Sequence, residues 1–273
     1  MGPTGGKSSR NILVFEETRQ TMTNPDQSTA SMPAGTAAGD CGPEHPWEAC
    51  VLPLAVFLAV GLFEPMPGGG GLAGPLRIPF AAYPLVYTLR LVATLLALAL
   101  AWQPIRHWLG RPTWWPALVG LALAVPWIIL AGMQRDAGWA TAQGGRAAFD
   151  PFVHLADHPA AAWAFLAVRA VGLVAVVPLV EELFLRGFLM RFVIREDFWR
   201  VPFGTVTAAS AAACVVYAVA THPAEAVAAV GWFAIVSGIA AATRRPIDAI
   251  LAHAGTNLAI GAYVLASGSW WLL

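Results

Sequence analysis

The 273-residue chain is 58% hydrophobic and 12% charged, with a formal net charge of zero at pH 7 and a mean hydropathy of +0.62. That balance excludes an ordinary soluble domain and reads as an all-α, polytopic integral membrane protein in contact with the lipid bilayer. A neutral chain without a basic stripe also excludes nucleic acid as a partner, because phosphate binding needs a local surplus of Lys and Arg.

Residues 1–46 are rich in Gly, Ser, Thr, Pro and Asp and poor in large apolar side chains. Such a segment cannot bury enough surface to offset the entropy of ordering, so it reads as a disordered tail, with a transmembrane helical domain over 47–273. No short apolar run with a small-residue cleavage site follows Lys7 and Arg10, so no cleaved signal peptide is expected. The three cysteines, Cys41, Cys50 and Cys214, give neither a disulfide framework nor a zinc-binding spacing. A Cys41–Cys50 bridge would require an oxidising compartment.

From Trp47 onward, apolar stretches recur at the length of about 20 residues needed to cross hydrocarbon. They run from Trp47 to Phe63, Tyr83 to Trp102, Trp114 to Met133, about Ala160 to Met190, Phe203 to Thr221, Ala224 to Ala242 and Ile247 to Leu265. About seven helices are expected, within a range of six to eight. The first is the weakest, being short and interrupted by Glu48 and Pro53. Several tryptophans near the span ends, among them Trp102, Trp114 and Trp199, suit the membrane interface. Lys and Arg outside the spans divide unevenly between the two sides. Lys7, Arg10, Arg19, Arg106, Arg111, Arg191, Arg195, Arg200, Arg244 and Arg245 fall on one side, and only Arg77, Arg135 and Arg146 on the other. The positive-inside rule therefore puts the N-terminus in the cytoplasm.

Two connections invite a functional reading. The run Pro65-Met66-Pro67-Gly68-Gly69-Gly70-Gly71 lacks the Lys and Ser/Thr of a phosphate-binding loop, and reads as a flexible connection. His154 and His158 stand four apart and could share a metal on a helix, but no third ligand lies nearby, so no metal is assigned and an interfacial loop is expected.

The chemistry concentrates at Glu181 and Glu182, the acidic residues lying well inside a span. A charge in hydrocarbon costs roughly 2.5 to 3.5 kcal/mol on insertion scales, so adjacent acids there mark a functional site by default. Arg186 follows Glu182 by four residues, the spacing of a helical ion pair. Adjacent helical residues point about 100° apart, so the two glutamates are not expected to share a partner. Glu182 with Arg186 then fits a structural role and leaves Glu181 to find another polar group. Downstream, His222 ends the fifth span, and His253 and Asn257 share one face of the seventh. Each taken singly fits interhelical hydrogen bonding; together they suggest a convergent site with a carboxylate base.

These residues, Glu181-Glu182-x-x-x-Arg186, His222 and His253-x-x-x-Asn257, resemble the three motifs of the CAAX-processing and bacteriocin-processing (CPBP) intramembrane endopeptidases, the group related to the eukaryotic Ras-converting CAAX endopeptidase. The text around Glu196 to Thr205 and Ile250 to Leu258 is similar to the bacterial branch that accompanies exosortase and PEP-CTERM sorting systems. The resemblance covers about 160–271. One departure is that the aromatic expected four residues before the second-motif histidine is Ala218, with Tyr217 one place earlier.

The resemblance implies a metal-independent, cofactor-free peptidase of the inner (plasma) membrane. Its substrate would be a membrane-embedded or lipid-anchored polypeptide, with sorting-system proteins as partners. It implies Glu181 as general base, His222 as its aid in activating water, His253 and Asn257 as oxyanion donors, and Glu182 and Arg186 as orienting residues. A non-catalytic immunity or scaffold protein that keeps the polar network is the alternative from another class; a proton-coupled transporter is less supported, since no inverted pair of broken helices is evident. Depth is the difficulty. Straight helices put His222 near the outer end of its span, roughly 10 Å or more from Glu181 and His253. Either Pro202 or a re-entrant stretch from Val201 to Thr205 lowers it, or the fifth span has other boundaries.

Overall fold

The computed structural model describes residues 2, 46–68, 72–139 and 148–273. The chain divides into a unit Met1–Ala37, of which only Gly2 is described, and a unit Ala38–Leu273. The expected tail thus lies almost wholly outside the described residues, as do Cys41 and Gly69 to Gly71.

All regular structure among the described residues is helical. The apolar helices, in chain order, are α1 (Leu52–Gly61), α2 (Phe80–Leu100), α3 (Trp115–Asp136), α4 (Pro159–Phe192), α5 (Ala208–Thr221), α6 (Pro223–Thr243) and α7 (Pro246–Ser267). Five of them, α2, α3, α4, α6 and α7, are long and apolar enough to cross a membrane, whereas α1 and α5 are shorter. Large apolar side chains such as Leu85, Leu100, Val125 and Val216 remain on the outside, as a lipid-facing surface requires.

Local chemistry explains the two short helices. A separate helix, Pro46–Cys50, precedes α1, and the break falls at Val51 because Pro53, in the first turn of α1, has no N–H to continue the ladder. At the other short helix the boundary expected from the sequence is corrected. Residues 201–207 are non-helical, with Gly204 at φ +79°, and α5 begins only at Ala208. Thr207 caps it, its hydroxyl accepting from the Ser210 N–H while the Ser210 hydroxyl accepts from the Thr207 N–H. The helix has 14 residues, about 21 Å at 1.5 Å per residue, well short of a hydrocarbon core of about 30 Å.

Close backbone approach joins α3 to α7. A Cβ on Gly120 would collide with the Ala252 carbonyl oxygen, and one on Gly255 would lie 2.6 Å from the Ala117 oxygen. Glycine at both positions lets the two helices touch, as small residues do in membrane interfaces. Thr256 then donates its hydroxyl to the Gly120 oxygen at 2.7 Å.

Candidate functional site

α4 carries the first motif between two π-helical stretches, Gly172–Val176 and Leu183–Leu189, with α-helix over Val177–Glu182. Pro178 accounts for the first. Its ring would clash with the carbonyl four residues back and it has no N–H to donate. The turn widens, and the Val177 N–H bonds the Gly172 oxygen five residues earlier. In this register the partner due to the Leu173 oxygen is the missing N–H of Pro178. Asn257 Nδ2 on α7 supplies it, donating to the Leu173 oxygen at 2.8 Å.

The two glutamates differ in their surroundings. Glu182 is 1% exposed, and Arg186 Nη1 donates to its Oε2, the pairing that the four-residue spacing anticipates. Arg186 Nη2 donates to the Phe233 carbonyl at 3.0 Å and so ties α4 to α6. The other carboxylate oxygen, Glu182 Oε1, lies 3.1 Å from His253 Nδ1. Both oxygens of Glu182 are therefore engaged. Glu181 faces the same imidazole from the other side, its Oε2 3.9 Å from His253 Nε2. The expectation of separate partners is corrected here. The 100° between adjacent residues does hold them apart, but an imidazole carries its two nitrogens on opposite edges, so one ring inserted from α7 meets both.

Aromatic rings fix the histidines. His253 packs against Trp232 with centroids 4.6 Å apart, and Trp232 Nε1 donates to Thr256 Oγ1 at 2.9 Å. His222 lies between Trp127 and Phe233, at centroid distances of 5.4 and 5.6 Å, and its Nδ1 is 2.8 Å from the Thr221 hydroxyl. It terminates the short α5 and precedes the 3-10 turn Pro223–Glu225. α5 starts five residues later than the sequence reading placed it, and its C-terminal end packs against α3 and α6 through His222. His222 lines the same cavity as Glu181 and His253. Tyr217 is buried against Phe233 at 5.7 Å.

One cavity of about 340 Å³ is lined by Glu181, His222, His253 and Asn257 together with Trp127, Trp232 and Phe233. Glu182 and Arg186 stand behind its wall, 1% and 3% exposed. Three charged residues that the motifs left unassigned, Glu64, Arg90 and Arg169, line the cavity as well. Their signal was present in the sequence, since Arg90 and Arg169 are arginines inside apolar spans. Among the described residues no group of three His, Cys, Asp or Glu is arranged to hold a metal. His154 stacks on Phe149 at 4.8 Å, and the His158 oxygen accepts the first helical hydrogen bond of α4.

Residues 162–259 match the protein family described as Type II CAAX prenyl endopeptidase Rce1-like. This segment is Rce1-like. The match agrees with the resemblance carried by the three motifs, and all six residues of those motifs fall within it. No curated protein and no solved structure matches the chain significantly. Glu64, Arg90 and Trp127 lie outside the Rce1-like segment but complete its cavity from α2, α3 and the connection after α1.

Proposed function

We propose that the chain is an integral-membrane endopeptidase that hydrolyses a peptide bond of a membrane-associated or lipid-anchored polypeptide. The observation that carries this reading is that Glu181, His222, His253 and Asn257 line one cavity, half of whose lining residues belong to the Rce1-like segment. Glu182 has both oxygens committed, to Arg186 and His253, whereas Glu181 opens to the cavity. Glu181 is therefore the base. It takes a proton from a water, aided by His222, as the water oxygen attacks the scissile carbonyl carbon. His253 and the second N–H of Asn257 are donors for the oxyanion that forms. When the carbon–nitrogen bond breaks, Glu181 returns its proton to the departing amine. Glu182 orients the His253 ring through Nδ1 and, with Arg186, anchors α4 to α6. Apolar side chains such as Val177, Phe233 and Ile260 line the cavity and lower its local polarity, which strengthens these interactions.

The test is turnover of a pool of lipidated reporter polypeptides by the chain in lipid nanodiscs, with new termini read by mass spectrometry. Glu181→Gln is expected to lower turnover on the order of 10² to 10⁴-fold, the usual contribution of a general base, without lowering the unfolding temperature. Undiminished cleavage by Glu181→Gln rejects the assignment.

A further inference from the structure

α4 presents Arg169, Leu173, Val177 and Glu181 to the cavity, a stripe at four-residue spacing. On a regular α-helix that spacing drifts by about 40° per step. The wider π turn over Gly172–Val176 offsets the drift and keeps the stripe on one face. At ~1.5 Å of rise per residue the stripe is about 18 Å long, with Glu181 at one end and Arg169 at the other.

Two buried donors at the Arg169 end, Arg169 Nε and the Tyr87 hydroxyl, lack acceptors. Arg169 is 4% exposed, and it makes a long hydrogen bond from Nη1 to the Phe149 oxygen at 3.4 Å. Its Nε is buried without a partner, and no carboxylate among the described residues pairs with it. Beside it the hydroxyl of Tyr87, also lining the cavity, is buried and unpartnered. The Arg169 guanidinium carbon is 5.9 Å from the Tyr87 ring centroid. Gly172 makes room for this hydroxyl, since a Cβ there would collide with it. Arg90, on the same helix as Tyr87, is by contrast satisfied: Nε donates to the Phe57 oxygen at 2.8 Å and Nη1 to Glu64 Oε1 at 2.9 Å. The ring centroids of Tyr83 and Phe165 also lie 5.6 and 5.8 Å from the Arg169 guanidinium carbon. Even so, a guanidinium without a carboxylate and with an unpartnered Nε, beside an unpartnered phenol, is costly in an apolar span unless a ligand completes it. A planar anion that accepts from both is a carboxylate, the group that Arg holds best.

We infer that the Arg169–Tyr87 end of the cavity is a subsite for a carboxylate of the bound polypeptide. This rests on the endopeptidase reading above. An extended chain advances about 3.4 Å per residue, so the carboxylate lies about five residues from the bond presented to Glu181. Its source is either the polypeptide's own terminus or an acidic side chain.

The experiment uses the full chain carrying Glu181→Gln in nanodiscs, so that binding is read without cleavage. The probes are three pools of dansylated peptides randomised over Ala, Val, Leu and Phe: C-terminal acids, C-terminal amides, and amides with one internal Glu. Retention of at least one carboxylate-bearing pool about tenfold above the plain amides, an ordinary value for one charge-assisted contact, is expected. Preference for the acids assigns the terminus, and preference for the Glu-containing amides assigns a side chain. Arg169→Gln abolishes the preference and Tyr87→Phe reduces it about threefold. Tyr87→Phe removes only a hydroxyl that has no acceptor, so it carries the test if Arg169→Gln fails to fold. Equal retention of the three pools, or a preference that survives both substitutions, overturns the subsite. If Glu181-dependent cleavage is found but no carboxylate preference, only the subsite fails. A preference in a chain whose cleavage ignores Glu181 leaves the subsite standing and rejects the assigned base.

Discussion

Glu182 and Glu181 are neighbours in the chain, yet one is locked by Arg186 and His253 while the other opens to the cavity. Removing one partner of a buried ion pair strands the other, at a cost of about 3–5 kcal/mol. Arg186→Met is therefore expected to lower the unfolding temperature sharply in detergent. The double variant Arg186→Met, Glu182→Gln recovers part of the loss, because the stranded charge is gone. Equal unfolding temperatures for wild type and Arg186→Met would show that the pair carries no stability. The pairing was readable from the four-residue spacing, which fixes a helical face. That His253 lies between both glutamates was not, since it enters from a helix some 70 residues away.

The elements owe their function to interruptions as much as to regularity. Pro178 widens α4, and Asn257 completes the carbonyl that this leaves without a donor. Pro178→Ala is expected to let Gly172–Val176 return to α-helix, which shifts the register of Arg169 against Glu181 by about 100°, the turn of one helical residue. Turnover by the proposed peptidase should then fall while the helical circular dichroism is retained; unchanged turnover contradicts a role for the widened turn. Asn257→Leu strands the Leu173 oxygen and is expected to cost about 1–3 kcal/mol, measurable as a lower unfolding temperature even if no substrate is at hand. Gly120→Val drives a side chain into the Ala252 carbonyl and should separate α3 from α7; thermal denaturation in detergent reads the loss. The proline could be seen in the sequence, but its consequence could not, because whether a proline kinks, ends or widens a helix depends on which neighbour satisfies the freed carbonyl.

At the scale of the molecule, the sequence reading of a cytoplasmic N-terminus counts seven crossings, whereas five of the described helices are long and apolar enough to cross. We propose that the α2–α3 and α4–α5 connections face the cytoplasm and the α1–α2 connection faces away from it. Single cysteines placed at Arg111 and Arg195, in a background with Cys41 replaced by Ser, are expected to react with a membrane-impermeant maleimide in inside-out vesicles and not in right-side-out ones, with a cysteine at Arg77 showing the opposite pattern. Labelling of all three from one side would refute the orientation. The native Cys50 and Cys214 are free and buried, so they leave this readout clear. Composition and apolar run length determined the all-helical membrane class and the seven apolar stretches, because helix length and hydrocarbon thickness are local, one-dimensional constraints. The motifs likewise singled out four of the residues that line the cavity, Glu181, His222, His253 and Asn257. Only the tertiary structure decided that α5 begins at Ala208 and that His222 lines that cavity, that one imidazole lies between both glutamates, and that Arg169 and Tyr87 line the cavity as well. Those outcomes depend on depth and on contacts between distant helices, which packing sets and periodicity does not record.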